Sequence, residues 1–593
     1  MKRSALLALL IAFALIACDD ERRIFADPLG LIATAGPARV RLHWQGVEGA
    51  DAYRIYGADA PDVLSGKSEA RGAPVEVSGT DYCEGALAED VPRYYAVVAM
   101  KGGEPLSASW EVEATPQGAP SYDDPLFGNQ WHLLNTGQDG GTPCEDLNVM
   151  DAWARGYTGA GVQVATLDGG VATGHPDIQG ALIRDGSWDY LEEDTDPTSG
   201  DVNGVAHGTW VGGAIAARQG NAEGGSGVAP GAELAAYNYL QDADEANLLD
   251  ATMRGSPLIA IRNNSWQPDT NGPGRINPAP DSWKNAVEDE LADGRSGLGT
   301  IFVFAAGNYG NASGSGLFAN APPANTNYNG HAVNHGVITV AAIGDDGVRT
   351  IYSERGANLW VSAPSMGRGF NGITTTNSPD TYTDFALGTS LSAPMVSGIV
   401  ALMLEASPEL GWRDVREILA RSSRMTDPES PGWAFNGAGF HVSHDYGFGA
   451  VDASAAVRMA EWWQPITAPQ KTAESALREP ALAIPDDDMT GVSDALELSG
   501  SGISFVEWVE IDFTSDHADS GDLEIVLTSP MGTESILAEL HTCPGCTAYD
   551  GWTFASSFNL GERADGEWTL EVRDLKSGDT GAVQSWRVRV RGR

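Results

Sequence analysis

Three kinds of hydrophobic pattern follow one another along the chain. From about residue 26 to 116, short runs of β-forming residues are separated by turn residues: Arg39-Val40-Arg41-Leu42-His43-Trp44, Tyr53-Arg54-Ile55-Tyr56 and Arg93-Tyr94-Tyr95-Ala96-Val97-Val98-Ala99. The first alternates polar and apolar positions, and together the runs predict a small β-sandwich. From about 118 to 461 the apolar runs are nearly continuous: Val162 to Leu167, Ile301 to Ala306 and Val337 to Ala342. Such strands between helical stretches predict a parallel sheet covered by helices on both faces. Residues 464–479, rich in Pro, Ala and Gln, read as a linker. From 481 to 593 the period of two returns in Trp508 to Phe513, Leu523 to Leu527, Trp568 to Val572 and Trp586 to Val590, which predicts a second β-sandwich.

Length agrees with several domains, because 593 residues exceed what one core organises. A net charge of -45 argues against nucleic acid as a partner, since that surface repels phosphates. It suits solubility, bound cations or a salty medium. Lys2 and Arg3 precede the apolar run Ala5 to Ala17, too short for a typical membrane span, so residues 1–17 read as an export signal. No other stretch reads as a span. Leu15-Ile16-Ala17-Cys18 places a cysteine directly after a small residue and resembles the lipobox of bacterial lipoproteins. That resemblance implies a lipid on Cys18 and an anchor in the bacterial cell envelope, outside the cytoplasm. Cys543-Pro544-Gly545-Cys546 is read as a local disulfide rather than a redox site, since no strand-helix pattern of the thioredoxin kind surrounds it. Cys83 and Cys144 are either paired with each other or free.

Three segments carry the chemistry. Asp168 ends a buried strand and precedes Gly169-Gly170. His207-Gly208-Thr209 opens a helix of small residues. Gly388-Thr389-Ser390-Leu391-Ser392-Ala393-Pro394 leads into an apolar helix. A serine hydroxyl is a weak nucleophile at neutral pH and needs an imidazole to take its proton. The imidazole needs a carboxylate to fix its tautomer and stabilise its charged form. Ala305-Ala306-Gly307-Asn308 adds an amide at a strand end, suited to donate to an oxygen that becomes negative.

The order Asp, His, Ser in these contexts resembles that of the subtilisin-like serine proteases, over about residues 118–461. Within that family the kexin and furin branch is the nearest likeness. Asp124-Pro125-Leu126-Phe127, Gln130-Trp131-His132-Leu133, Ser265-Trp266 and Val442-Ser443-His444-Asp445-Tyr446-Gly447 carry it. Ile484-Pro485-Asp486-Asp487, Gly521-Asp522-Leu523, Ser529-Pro530-Met531-Gly532-Thr533 and Gly566-Glu567-Trp568 resemble the P domain of that branch, a jelly-roll-like β-sandwich. The placing of Trp44, Tyr53 and Tyr95 resembles a fibronectin type III domain. The expected whole is therefore an α/β catalytic domain flanked by two β-sandwiches.

The resemblance implies catalysis by Asp168, His207 and Ser390, an oxyanion donor at Asn308, and a substrate pocket at Ser265, Trp266 and Asn329. Furin-like enzymes line that pocket with acids. Here Gly169 follows the catalytic aspartate, Thr270 aligns with the acidic position after Ser-Trp with Asp269 adjacent to it, and Asn329 aligns with a further pocket acid. The expectation is an endopeptidase acting on proteins or peptides without strict dibasic preference. Calcium is the implied metal, held by Asp124, Asp177 and Asn221, with Asp189, Asp194 and Asp196 at a second site and Glu354 at a third near the pocket. Zinc is disfavoured, as no His/Cys ligand spacing is present. The alternative reading is a catalytically inactive surface adhesin or scaffold on the same domains. Labelling by a fluorophosphonate separates the two.

Overall fold

The computed structural model describes residues 27–47, 49–64, 74–85, 87–118, 122–198, 206–268, 271–310 and 323–593. Residues 1–17, Cys18, Asp269 and Thr270 lie outside them.

The centre is a seven-stranded, wholly parallel sheet. Its strands are β1 (Gln163–Asp168), β2 (Trp188–Asp189), β3 (Glu233–Asn238), β4 (Ile259–Asn264), β5 (Ile301–Ala305), β6 (Val337–Ile343) and β7 (Val361–Pro364), in the order β2-β3-β1-β4-β5-β6-β7. Their side chains are buried on both faces, which is why these runs show no alternation. Two helices frame the site: α1 (His207–Ala216) and α2 (Thr389–Ala406), packed on each other. By length and composition α2 could cross a membrane, contrary to the expectation that no segment beyond the N-terminus could. It is instead a core helix, buried from Thr389 to Leu404 and packed on β4, β5, β6 and β7.

The N-terminal unit is two antiparallel sheets. One pairs Ile32–Gly36, Arg39–His43 and Asp81–Glu84; the other is built on Ala52–Ala58 and Arg93–Lys101. Trp44, Tyr53, Ile55, Tyr95 and Val97 fill the space between. The polar face of Arg39–His43 does not meet water: Arg39, Arg41 and His43 are all buried. Arg39 forms a two-pronged ion pair with Asp146 at 2.7 and 3.1 Å, and the His43 ring lies 2.6 Å from the Arg421 carbonyl. A disulfide joins Cys83 to Cys144 across the same junction. This face docks on the parallel-sheet domain through Asp146, Cys144 and the Arg421 carbonyl.

The C-terminal unit is a sandwich of two antiparallel sheets. Its strands are β8 (Lys471–Glu474), β9 (Leu482–Ile484), β10 (Asp488–Leu498), β11 (Val506–Ser515), β12 (Leu523–Thr528), β13 (Glu534–Ala538), β14 (Trp552–Ser556), β15 (Gly566–Asp574) and β16 (Gly581–Gly592). They run β8-β16-β11-β14, with β9 also on β16, and β10-β15-β12-β13. The presence of β8 corrects the linker reading of 464–479. Lys471–Glu474 pairs with the last strand, because β16 extends far enough to leave an open edge there.

This sandwich grips the parallel-sheet domain. Arg416, on helix α3 (Trp412–Ser422), lies over the rings of Trp360 and Trp508, 3.8 and 4.8 Å from their centroids. Asn327 exchanges hydrogen bonds with both backbone groups of Ala555, and its carbonyl accepts from the Trp552 indole.

Candidate active site

Asp168 is the last residue of β1 and His207 the first of α1. The His207 Nδ1 lies 2.8 and 3.0 Å from the two Asp168 carboxylate oxygens. The carboxylate is buried, while a quarter of the imidazole side chain is exposed. One side of the ring is thus fixed from behind and the other left reachable. Burial on its own lowers the imidazole pKa, but the charge and hydrogen bond of Asp168 outweigh it, and the net shift is upward from 6.5. Gly208 makes the approach possible: a side chain there would meet the Gly170 carbonyl at 2.0 Å and the Asp168 carboxylate at 3.1 Å.

Ser390 lies in the first turn of α2. Its position follows from a proline. Pro394 has no N–H to give the Ser390 carbonyl, which in an unbroken helix would accept from it. The Ser265 hydroxyl donates to that carbonyl instead, at 2.8 Å, and the Ser390 hydroxyl donates back to the Ser265 carbonyl at 3.1 Å. Ser265 directly follows β4, and β4 pairs with β1 in the register Asn263 to Thr166. Ser265 comes two residues after Asn263 and Asp168 two residues after Thr166, so both stand at the ends of neighbouring strands. The serine is therefore tied to the strand beside the one that holds the aspartate.

Asn308 follows β5. Its Oδ1 accepts from the Thr389 N–H at 2.9 Å and the Thr389 hydroxyl at 3.0 Å. With the oxygen so engaged, the amide is oriented and its Nδ2 donors face away from Thr389. The Ser390 N–H belongs to the first turn of α2, where amides lack intrahelical partners. A carbon built on Gly388 would sit 3.5 Å from both Asn308 amide atoms and 3.6 Å from Ser390 N, so the Asn308 amide and the Ser390 N–H border one small space. Two donors on a shared space beside a hydroxyl suit an oxygen that gains charge.

The residues expected in the pocket separate. Asn329 lines an open cleft beside β5, together with Gln267, Asn325 and Glu354. Ser265 is not among its lining residues and serves as the tie to Ser390. Trp266 is not among them either: its ring packs on Tyr239, Phe304 and His331, because the apolar indole finds a core behind the strand end. Sequence reasoning missed Asn325 and Gln267. The period-two asparagines of Asn325-Thr326-Asn327-Tyr328-Asn329 were the available signal, since Asn325 and Asn329 line the cleft while Asn327 meets the C-terminal sandwich.

Asp124, Asp177 and Asn221 come together. Asp124 accepts from the Gly220 and Asn221 backbones at 2.8 to 3.1 Å, and Asn221 Nδ2 donates to Asp177 Oδ1 at 2.6 Å. Asp177 Oδ2 is buried without a hydrogen-bond partner, and burial raises this carboxyl's pKa. An orphaned buried carboxylate oxygen beside a second carboxylate and a loop of carbonyls fits a hard cation. The second expected group does not show this. Asp189 uses one oxygen for the Leu191 and Glu192 N–H groups and the other for the Asn238 amide. Asp194 and Asp196 accept from Asp196 N and from the Thr198 hydroxyl. These carboxylates stabilise turns, and we assign no cation there. Glu354 lines the cleft and accepts from Tyr309 N at 3.3 Å, with no second carboxylate among the other lining residues. A disulfide joins Cys543 to Cys546 at the edge of the C-terminal sandwich, where His541 lies 2.7 Å from the Gly274 carbonyl.

Residues 159–449 match the model of the subtilase family, and residues 506–590 that of the proprotein convertase P-domain. Neuroendocrine convertase 2 of Sus scrofa is 32% identical over 489 residues, 80% of this chain and 74% of that protein. The chain belongs to the subtilase family. This subtilase is also 34% identical to human proprotein convertase subtilisin/kexin type 6 over 482 residues, 79% of this chain but only 48% of that longer protein. Among solved structures, the serine protease of Aeromonas sobria superposes with a TM-score of 0.71 at 27% identity, covering 81% of this chain and 97% of that one. The parallel-sheet domain is thus a subtilisin-like fold, and the C-terminal sandwich is a P domain.

Proposed function

We propose that this subtilase is an exported, lipid-anchored endopeptidase in which Ser390 is the nucleophile. His207 takes the Ser390 hydroxyl proton as the oxygen attacks a peptide carbonyl, and Asp168 stabilises the imidazolium that forms. The carbonyl oxygen gains charge beside Asn308 Nδ2 and the Ser390 N–H. Collapse of the tetrahedral adduct breaks the C–N bond, and His207 gives its proton to the leaving amine. Water, deprotonated by His207, then attacks the ester and frees Ser390. The observation that carries this reading is an imidazole clamped on a buried carboxylate, beside the strand end that holds the serine.

Structural calcium at Asp124, Asp177 and Asn221 belongs to the same reading; the ion would neutralise carboxylates that otherwise repel one another. The N-terminal sandwich is read as a fibronectin type III-like spacer. The spacer sets the catalytic domain off from a lipid on Cys18, which the lipobox-like Leu15-Ile16-Ala17-Cys18 supports. The substrates are proteins or peptides outside the cytoplasm, cleaved without strict dibasic preference because Asn329 carries no charge.

One experiment tests these points together. A fluorophosphonate probe applied to cell fractions is expected to label the chain in membranes. Ser390→Ala abolishes labelling and lowers turnover by roughly six orders of magnitude, the size of the effect known in a subtilisin. Cys18→Ala moves the labelled chain to the soluble fraction. A folded chain that takes no label overturns the enzyme reading.

A further inference from the structure

The cleft beside the active site opens to solvent and is lined by Gln267, Arg275, Asn325, Asn329 and Glu354. Its wall is continuous with the oxyanion segment: Gln267 Oε1 accepts from Asn308 N at 3.2 Å, and Glu354 from Tyr309 N at 3.3 Å. A peptide whose carbonyl rests on Ser390 and Asn308 therefore directs the side chain of that same residue here.

The polarity of the cleft is fixed by two Asx turns. Asn325 Oδ1 accepts from Asn327 N at 2.9 Å, and Asn329 Oδ1 from His331 N at 3.0 Å. A backbone N–H can bond only to the oxygen end of an amide, so neither side chain can be reversed without losing a bond. Their nitrogens are therefore held as donors. Both side chains are more than nine-tenths buried, and both Nδ2 atoms lack a partner. Buried donors normally find acceptors, so two of them at one cleft ask for an acceptor from a ligand. Glu354, on the same wall, offers carboxylate oxygens and no donor.

We propose that this cleft selects a carboxamide side chain, glutamine or asparagine, at the residue whose carbonyl is attacked. Asn325 and Asn329 donate to the amide oxygen, and Glu354 accepts from the amide nitrogen. A carboxylate would satisfy the two donors but meet the charge of Glu354. Arg275, also on the wall, directs its guanidinium to the Pro544 carbonyl of the P domain rather than to Glu354. A lysine or arginine would suit Glu354 but face two donors with donors. The P domain holds the arrangement in place, since Asn327, midway between the two asparagines, is bonded to Ala555. The proposal rests on the endopeptidase reading above.

The test is kcat/KM of the full chain on peptides that differ only at that residue. Glutamine and asparagine are expected to exceed methionine, a near-isostere of glutamine without its polar groups, by at least about tenfold. Asn329→Asp replaces a donor by an acceptor. It is expected to lower the glutamine-to-methionine ratio about tenfold and to raise cleavage after lysine and arginine. Fluorophosphonate labelling of Ser390 confirms that each variant is folded. If Asn329→Asp does not label, Glu354→Gln supplies the second arm and should also reduce that ratio. Preference for glutamate, arginine or methionine in the native chain overturns the carboxamide assignment alone. Failure both to cleave any peptide and to take the label overturns it together with the endopeptidase reading.

Discussion

At His207 two effects of similar origin oppose each other. Burial disfavours the charged imidazole, while the Asp168 carboxylate at 2.8 Å favours it, and the second wins. The folded pKa therefore lies above 6.5. Since the base must be neutral to accept the serine proton, kcat/KM should be low in acid and rise through an apparent pKa above 6.5. Asp168→Asn removes the charge and presents the wrong partner to Nδ1. The acid limb is then expected to move to lower pH, and kcat to fall about ten-thousandfold. A pH profile of both proteins decides it. An unchanged limb in the variant would mean that another group sets the titration. These residues were legible because each lies within a short local signature, such as a strand end followed by glycines or a helix opened by small residues. The partners of Asn325 and Asn329 were not legible, since an orphaned donor is defined by everything else that packs around it.

Elements explain why the loop around Asn221 is the better cation candidate. Asp177 lies in the first turn of the short helix Pro176–Gln179, and Asp124 lies before the first turns of the catalytic domain. Without an ion the loop is held by N–H bonds to Asp124, and Asp177 Oδ2 is left unpaired. A cation bound to the folded form alone stabilises it by about 2.7 kcal/mol at a hundredfold excess over its Kd. Calcium should therefore raise the melting temperature, a chelator should reverse this, and Asp177→Asn should remove the response. Equal melting curves with and without calcium for the native chain would discard the site. The three elements lie far apart in sequence, yet their acids were legible through family likeness. That route also offered Asp189, Asp194 and Asp196, and only the structure shows Asp189 using both its oxygens, and Asp194 and Asp196 one each, in local hydrogen bonds. Strand β8 was hidden for a related reason. Lys471–Glu474 carries no hydrophobic signal and is ordered by the edge of β16, some 115 residues on.

Over the whole molecule, the P domain and the cleft form one mechanical unit, and Arg416 is where that can be measured. Its guanidinium is buried against the rings of both Trp360 of the parallel-sheet domain and Trp508 of the P domain. Burial lowers its pKa to about 9, with the charge of Glu507 opposing. Two of its nitrogens lack hydrogen-bond partners, so the π faces of the indoles supply the compensation. A planar cation can stack on both rings, and a lysine ammonium cannot. Arg416→Lys is thus expected to destabilise the docked pair by about 2 kcal/mol, read from chemical or thermal unfolding. The functional consequence should be selective. Asp168, His207 and Ser390 are held by strands β1 and β4, so probe labelling of Ser390 at moderate temperature should persist. The segment Asn325 to Asn329 is held by β14 through Asn327, so a loosened P domain should raise KM more than it lowers kcat. Native stability in Arg416→Lys would show that the stacked cation is incidental. Equal losses of label and substrate binding would show that the P domain supports the catalytic domain as a whole rather than the cleft.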